Sequence, residues 1–253
     1  ADALVAIMAT KKSLIVAGTH GKTTTSSLAA KVLRAGEGKP SHYVGAEVPI
    51  LGTNAFWDNE GDYFIAEGDE SDGTLVSYDP EYAILLNVEE DHLDHYKNGI
   101  EEIRSVFSEY LDKCRKKIIY CSHDLESRVL CSGRENIISY GFEESDNIRG
   151  VIKEVRDGST DFNVYDGEEL LGLVTLGIPG KHNVLNALAV IALAIEVGVG
   201  FSAISNAMAE FRGARRRFDV LYKSSNYSVI DDYGHHPTEI KATIETAKQL
   251  NPE

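Results

Sequence analysis

The run Ala17-Gly-Thr-His-Gly-Lys-Thr-Thr-Thr25 contains the residue types that grip a phosphate. Gly18 and Gly21 let backbone amides come close to anionic oxygens, Lys22 supplies a point charge for β- and γ-phosphates, and Thr23 offers a hydroxyl to a magnesium ion. Thr19, His20 and Thr24 complete the loop that would wrap the nucleotide. The common longer form of this loop starts on a glycine where Val16 stands, so this is a shortened variant. An apolar run at 13–17 precedes it and reads as a buried strand. Leu28, Val32 and Ala35 follow at helical spacing, which predicts a helix over 24–35. Strand, glycine turn and helix together place backbone N–H groups and a helix N-terminus against an anion, so the expected ligand is a nucleoside triphosphate.

Two further turns carry chemistry. Glu67-Gly-Asp-Glu-Ser-Asp72 would by itself be a solvated acidic loop. It follows an apolar run at 63–67, and at the end of a buried strand Glu67 becomes a magnesium ligand or water holder. The second turn, Asn87-Val-Glu-Glu-Asp-His-Leu-Asp-His-Tyr96, follows an apolar run at 82–87 and sets His92 and His95 among carboxylates. Magnesium prefers oxygen, so the readings are His92 beside a second divalent ion or a surface turn with a capping cluster.

The elements that must position these residues follow from periodicity. Residues 1–8 form a short apolar helix that begins without a cap and reads as the tail of something larger. Strands are expected at 42–45, 63–67, 82–87 and 117–120, with helices at 24–35, 100–111 and 124–130. This alternation predicts an α/β fold with a doubly wound, mostly parallel sheet, whose ligands gather at the carboxyl ends of its strands. Between about 136 and 177 turn signals at Asp157-Gly158 and Asp166-Gly167 predict a small antiparallel patch beside the main sheet, with a hairpin from 161–165 and 169–174. Gly180-Lys-His-Asn-Val-Leu-Asn186 opens an apolar helix with Val184, Leu188, Ile191 and Ile195 on one face, and a helix over 202–211 follows. Beyond Arg215-Arg216-Arg217 come a strand at 227–231, the turn Asp232-Tyr-Gly-His-His-Pro237 and a helix to residue 250. A lone strand–helix unit cannot bury its faces. The predicted division is therefore a nucleotide-binding domain over 1–213 and the first unit of a truncated second α/β domain over 214–253.

Composition sets the bounds. The chain has 253 residues, 43% hydrophobic and 26% charged, enough for a substantial core. A net charge of −15 disfavours nucleic acid and anionic membranes as partners, so anionic substrates must meet local basic groups. No run approaches the ~18 apolar residues that span a bilayer and no basic-then-apolar leader is visible, which predicts a cytoplasmic protein. Cys114, Cys121 and Cys131 lack the spacing of a zinc site or disulfide framework and read as reduced core residues. Nothing in the sequence sets an oligomeric state.

Gly18-Thr-His-Gly-Lys-Thr-Thr24, Glu67 to Asp72, Asn87 with Asp91-His-Leu-Asp-His-Tyr96, Gly180-Lys-His-Asn-Val-Leu-Asn-Ala187, Arg216-Arg-Phe218 and Asp231-Asp-Tyr-Gly-His-His-Pro-Thr-Glu239 occur here in the order found in the Mur ligase family, which the chain resembles from about residue 14 to 240. The resemblance is strongest to the member that joins L-alanine to UDP-N-acetylmuramate, with ATP forming an acyl phosphate during peptidoglycan synthesis. The alternatives are the ligase that recycles murein peptide and a noncatalytic nucleotide-binding fragment. Folylpolyglutamate synthases share the central fold but fit the His-His-Pro segment poorly, and a phosphate-loop switch would want an Asp-x-x-Gly sensor that residues 67–72 lack.

The resemblance implies that Lys22, Glu67 and His92 serve catalysis and that Thr23, Glu67 and His92 hold magnesium, or manganese in its place. Asn183 and Asn186 would meet adenine, although asparagines near a helix start are commonly caps. Arg217 and Asp232 would contact the nucleotide; Arg216, His95 and His235 would face the substrate. Several members carry a carbamylated lysine in the helix after His92, where this chain has Val106, Phe107 and Ser108, so no carbamate is expected. The domain that would hold uridine diphosphate is not recognised in this stretch. Lys22→Ala is expected to abolish ATP turnover and leave the fold intact.

Overall fold

Strand β1 (Lys12–Ala17) lies at the centre of the sheet because its residues after Lys12 are buried on both faces. A computed structural model describes residues 2–71, 73–156 and 158–250; Asp72 of the acidic run and Asp157 of the expected turn lie outside the described residues. The other strands of the sheet are β2 (Ser41–Tyr43), β3 (Ala55–Phe56), β4 (Tyr63–Gly68), β5 (Tyr82–Leu85), β6 (Lys117–Cys121), β7 (Ile137–Gly141), β8 (Ile148–Arg156), β9 (Ser159–Asp166) and β10 (Glu169–Leu176). Their order is β10-β9-β8-β7-β6-β5-β1-β4-β2-β3. Pairing is parallel from β2 through β8 and antiparallel at both edges.

Side chains alternate across β1 and so found two cores. Leu14 and Val16 join Leu28, Val32 and Leu33 of α2 (Lys22–Ala35) and Val184, Leu188 and Ile191 of α5 (Lys181–Glu196). α6 (Phe201–Glu210) packs on the same side through Ile204, Ala207 and Met208. Ile15 and Ala17 join Met8 of α1 (Asp2–Met8), Ile103 and Phe107 of α3 (Ile100–Asp112) and Cys131 of α4 (Leu125–Cys131). Each large side chain so buried contributes about 1.5–3 kcal/mol. Asp124 caps α4, its carboxylate accepting from the Ser127 amide at 2.7 Å.

The doubly wound parallel sheet matches expectation, and the hairpin around Asp166-Gly167 is β9 with β10. The antiparallel strands are not a separate patch, however. β8 pairs parallel with β7 at Tyr140↔Ile148 and antiparallel with β9, so one long strand fuses the patch to the main sheet. The last unit also has a strand that periodicity missed. β11 (Asp219–Lys223) pairs antiparallel with β12 (Ser228–Asp231), giving a hairpin followed by α7 (Pro237–Leu250) in place of a lone strand.

Cys114, Cys121 and Cys131 are buried and form no disulfide. Burial pushes the Cys121 thiol up to about 11 and that of Cys131 to about 12, which keeps both protonated and inert. Among the described residues no helix is long and apolar enough to cross a membrane.

Candidate active site

β4, β1 and β5 are adjacent, so their carboxyl ends place the three chemically loaded turns side by side. Val16 lies beside Glu67, and Ala17 lies between Gly68 and Leu85. The phosphate loop turns at Gly18 (φ 140°) and Gly21 (φ 86°). A Cβ on Gly18 would stand 3.0 Å from the Asn87 carbonyl, and one on Gly21 would stand 2.9 Å from Asn186 Oδ1, so both positions require glycine.

Asn87 clamps the loop: its Oδ1 accepts from the His20 amide (2.8 Å), its Nδ2 donates to the His20 carbonyl (3.1 Å), and its carbonyl accepts from the Thr19 amide (3.1 Å). The Glu89 amide donates to Thr19 Oγ1 at 2.9 Å. α2 starts at Gly21 with no side-chain cap, so its first amides are left for an anion.

Behind the loop, Thr23 Oγ1 donates to Glu67 Oε2 at 3.0 Å. Glu67 Oε1 accepts from the Gly45 amide at 2.6 Å and from Ser26 Oγ at 3.2 Å. A hydroxyl and a carboxylate converging at the phosphate-facing end of α2 form an all-oxygen donor set, which fits magnesium. Lys22 Nζ donates to the Gly18 carbonyl (2.6 Å) and to both oxygens of Glu70 (2.9 and 2.8 Å). Glu70 is 2% exposed, and burial raises its carboxyl above the ordinary range despite the charge and hydrogen bonds of Lys22. In the acidic run the sequence pointed to Glu67, while the residue paired with the lysine is Glu70.

His92 and His95 have local contacts. His92 sits in the left-handed region (φ 52°) with Nε2 3.9 Å from Asp91 Oδ2. His95 packs edge-on against Tyr96, whose hydroxyl donates to the Glu70 carbonyl.

Beside the loop lies a cavity of about 280 Å³ between the main sheet and the hairpin–α7 unit. His20, Asn183 and Asn186 line one side; Arg217, Asp232 and Glu239 line the other. Asn183 and Asn186 are buried: Asn183 Nδ2 donates to the Pro179 carbonyl at 2.6 Å and Asn186 Nδ2 to Asn183 Oδ1 at 3.4 Å. Asp232 shapes its turn by accepting from the amides of Phe218 and Gly234, both at 2.8 Å.

Glu239, which sequence reasoning passed over, lies 3.4 Å from His20 Nδ1 and 3.5 Å from Arg217 Nη1. Burial pushes its carboxyl up, but the His20 and His235 hydrogen bonds and the charges of His20 and Arg217 outweigh that and hold it at about 2. Arg216 turns outward beside Asp231, and His235 is exposed; neither lines the cavity.

The Mur ligase middle domain matches residues 16–194, and the Mur ligase glutamate ligase domain matches residues 216–253. The UDP-N-acetylmuramate–L-alanine ligase of Geobacter sulfurreducens is 39% identical over 256 residues, covering 100% of this chain and 55% of the relative. The ligase of the same name from Dictyoglomus turgidum is 40% identical over 255 residues, covering 99% and 54%. Among solved structures, the UDP-N-acetylmuramate-alanine ligase of Thermotoga maritima superposes with a TM-score of 0.84 at 30% identity, over 96% of this chain and 55% of that one. A murein peptide ligase from Psychrobacter arcticus superposes at 0.73 and 26% identity, over 95% and 55%. The chain thus spans about half the length of the relatives it matches. With the middle-domain match extending over most of its residues, the chain belongs to the Mur ligase family.

Proposed function

We propose that this chain carries the ATP site of an amide-forming ligase that joins L-alanine to UDP-N-acetylmuramate in the cytoplasm during peptidoglycan synthesis. The observation that carries the reading is the convergence of the phosphate loop, the Thr23–Glu67 pair and the cavity at the ends of β4, β1 and β5. The proposed division is an ATP-binding domain over 1–213 and the start of a ligase domain over 214–253.

Acyl-phosphate formation asks a protein to hold phosphates in line and to neutralise charge as it develops. Gly18 to Thr24 supply amides to the phosphates and Lys22 a charge to the transferred group. Thr23 and Glu67 would hold magnesium, which would supply charge neutralisation, and His92 would serve a second ion. Asn183 and Asn186 meet the adenine and Asp232 and Arg217 close the nucleotide from the other wall, while His95, Arg216 and His235, which lie outside the cavity lining, are assigned to the sugar nucleotide and the amino acid by the resemblance alone.

Titration of the 253-residue chain with a nonhydrolysable ATP analogue and magnesium, alongside an ADP-release assay with UDP-N-acetylmuramate and L-alanine, tests the reading. Saturable binding that Lys22→Met abolishes is the expected result, whether or not turnover follows. Absence of nucleotide binding would overturn it.

A further inference from the structure

Where His20 and Glu89 line the cavity, three electron-rich atoms from three separate segments face one another. His20 comes from the phosphate loop, Glu89 from the turn after β5 and His236 from the start of α7. His20 Nε2 and His236 Nδ1 each lie 3.6 Å from Glu89 Oε2, and one ligand atom from each residue falls within 4.8 Å of the others. The imidazole rings are 4.6 Å apart. The side chains of His20 and His236 are 12% and 20% exposed.

Glu239 Oε1 lies 3.4 Å from His20 Nδ1 and 3.5 Å from Arg217 Nη1, so in the neutral imidazole with its proton on Nδ1 the Nε2 lone pair is turned toward Glu89. His20 Nε2 is indeed buried with no hydrogen-bond partner. At His236 the Thr238 amide reaches Nδ1 over a long 3.4 Å, a contact that a metal ion bound at Nδ1 would replace. The Thr238 hydroxyl donates to Glu89 Oε2 at 2.7 Å and orients the carboxylate.

The unpartnered His20 Nε2 and the Glu89 carboxylate facing it at 3.6 Å repel unless a positive charge stands between them. Arg217 is paired with Glu239 at 3.5 Å. A carboxylate behind a histidine, with the second ring nitrogen turned to the site, is the supporting arrangement of metal-bound imidazoles.

We propose that His20, Glu89 and His236 bind a divalent transition-metal ion of the zinc class, which ties the phosphate loop to the start of α7. Two imidazoles and one carboxylate suit such an ion and leave a position for water, whereas an oxygen-seeking magnesium ion belongs with Thr23 and Glu67. Tetrahedral ligand atoms stand about 3.4 Å apart at zinc bond lengths, so small rotations of the Glu89 and His236 side chains complete the site. The site shares His20 and the cavity wall with the proposed nucleotide site, but its geometry does not depend on which substrates are joined.

Cobalt(II) titrated into the magnesium-free chain reads the site directly. The expected result is a visible ligand-field band that saturates at one equivalent, persists in excess magnesium and is displaced by zinc. His236→Ala, a change at the partly exposed start of α7, removes the band, as does Glu89→Gln, while far-UV circular dichroism shows both variants folded. Glu239→Gln, which frees the supported imidazole, weakens cobalt binding roughly tenfold. Lack of a saturable band, an undiminished band in His236→Ala, or displacement by magnesium would each overturn the proposal. So would a spectrum in which both imidazoles are protonated at neutral pH and cobalt does not bind, since a proton would then hold the gap.

Discussion

Lys22 and Glu70 form a nearly dry ion pair inside the phosphate loop, and each depends on the other. Sequence alone suggests that removing Lys22 would spare the fold, but the structure shows that it would strand a buried carboxylate. Breaking such a pair on one side costs about 3–5 kcal/mol, because the remaining charge loses its partner. Lys22→Met is therefore expected to lower the midpoint of chemical denaturation, and adding Glu70→Gln is expected to recover most of that loss without restoring nucleotide binding. The sign of the pH effect follows from the raised carboxyl of Glu70. In Lys22→Met the penalty is present above the folded pKa and is relieved as pH falls through it toward the ordinary value. A single mutant as stable as the wild type at neutral pH would show that the pair carries no structural weight.

Among the elements, α5 joins the site to the core. It is buried nearly all round, with Asn183 and Asn186 at its start and Leu188 beneath β8, where a Cβ on Gly150 would meet Leu188 Cδ1 at 2.9 Å. Leu188→Ala should cost about 2–5 kcal/mol by leaving a cavity that the sheet cannot close, measurable by urea denaturation. The central parallel strands were legible because strands covered on both faces read as unbroken apolar runs such as Leu14-Ile-Val-Ala17. The fusion of β7 and β8 was not, since a pairing such as Tyr140↔Ile148 leaves no local pattern. β11 escaped for a different reason: its residues after Asp219 are exposed, so no alternation marks a buried face. The site divides in the same way. Loop glycines, Lys22 and Glu67 carry local chemistry, whereas Glu70 is identified only by a lysine 48 residues away, and Glu239 only by a histidine and an arginine across the cavity.

For the molecule as a whole, Glu239 is one tie between the hairpin–α7 unit and the sheet domain, beside the Thr238 and His236 contacts to Glu89. Its carboxyl is held at about 2 against an ordinary 4.5, so its contribution is fully present above the ordinary value and is lost as pH falls through about 2. After allowance for its partial exposure this amounts to roughly 2 kcal/mol. Amide exchange followed from pH 5 downward is expected to show α7 losing protection before β1, β4 and β5, and Glu239→Gln should remove that order. Simultaneous loss in the wild type would show that the tie does not hold the unit. The clamp made by Asn87 has a kinetic meaning on the same scale. A loop held in its bend by Asn87 has little conformational freedom left to lose, so an encounter with nucleotide is expected to resemble a rigid docking event and not a folding one.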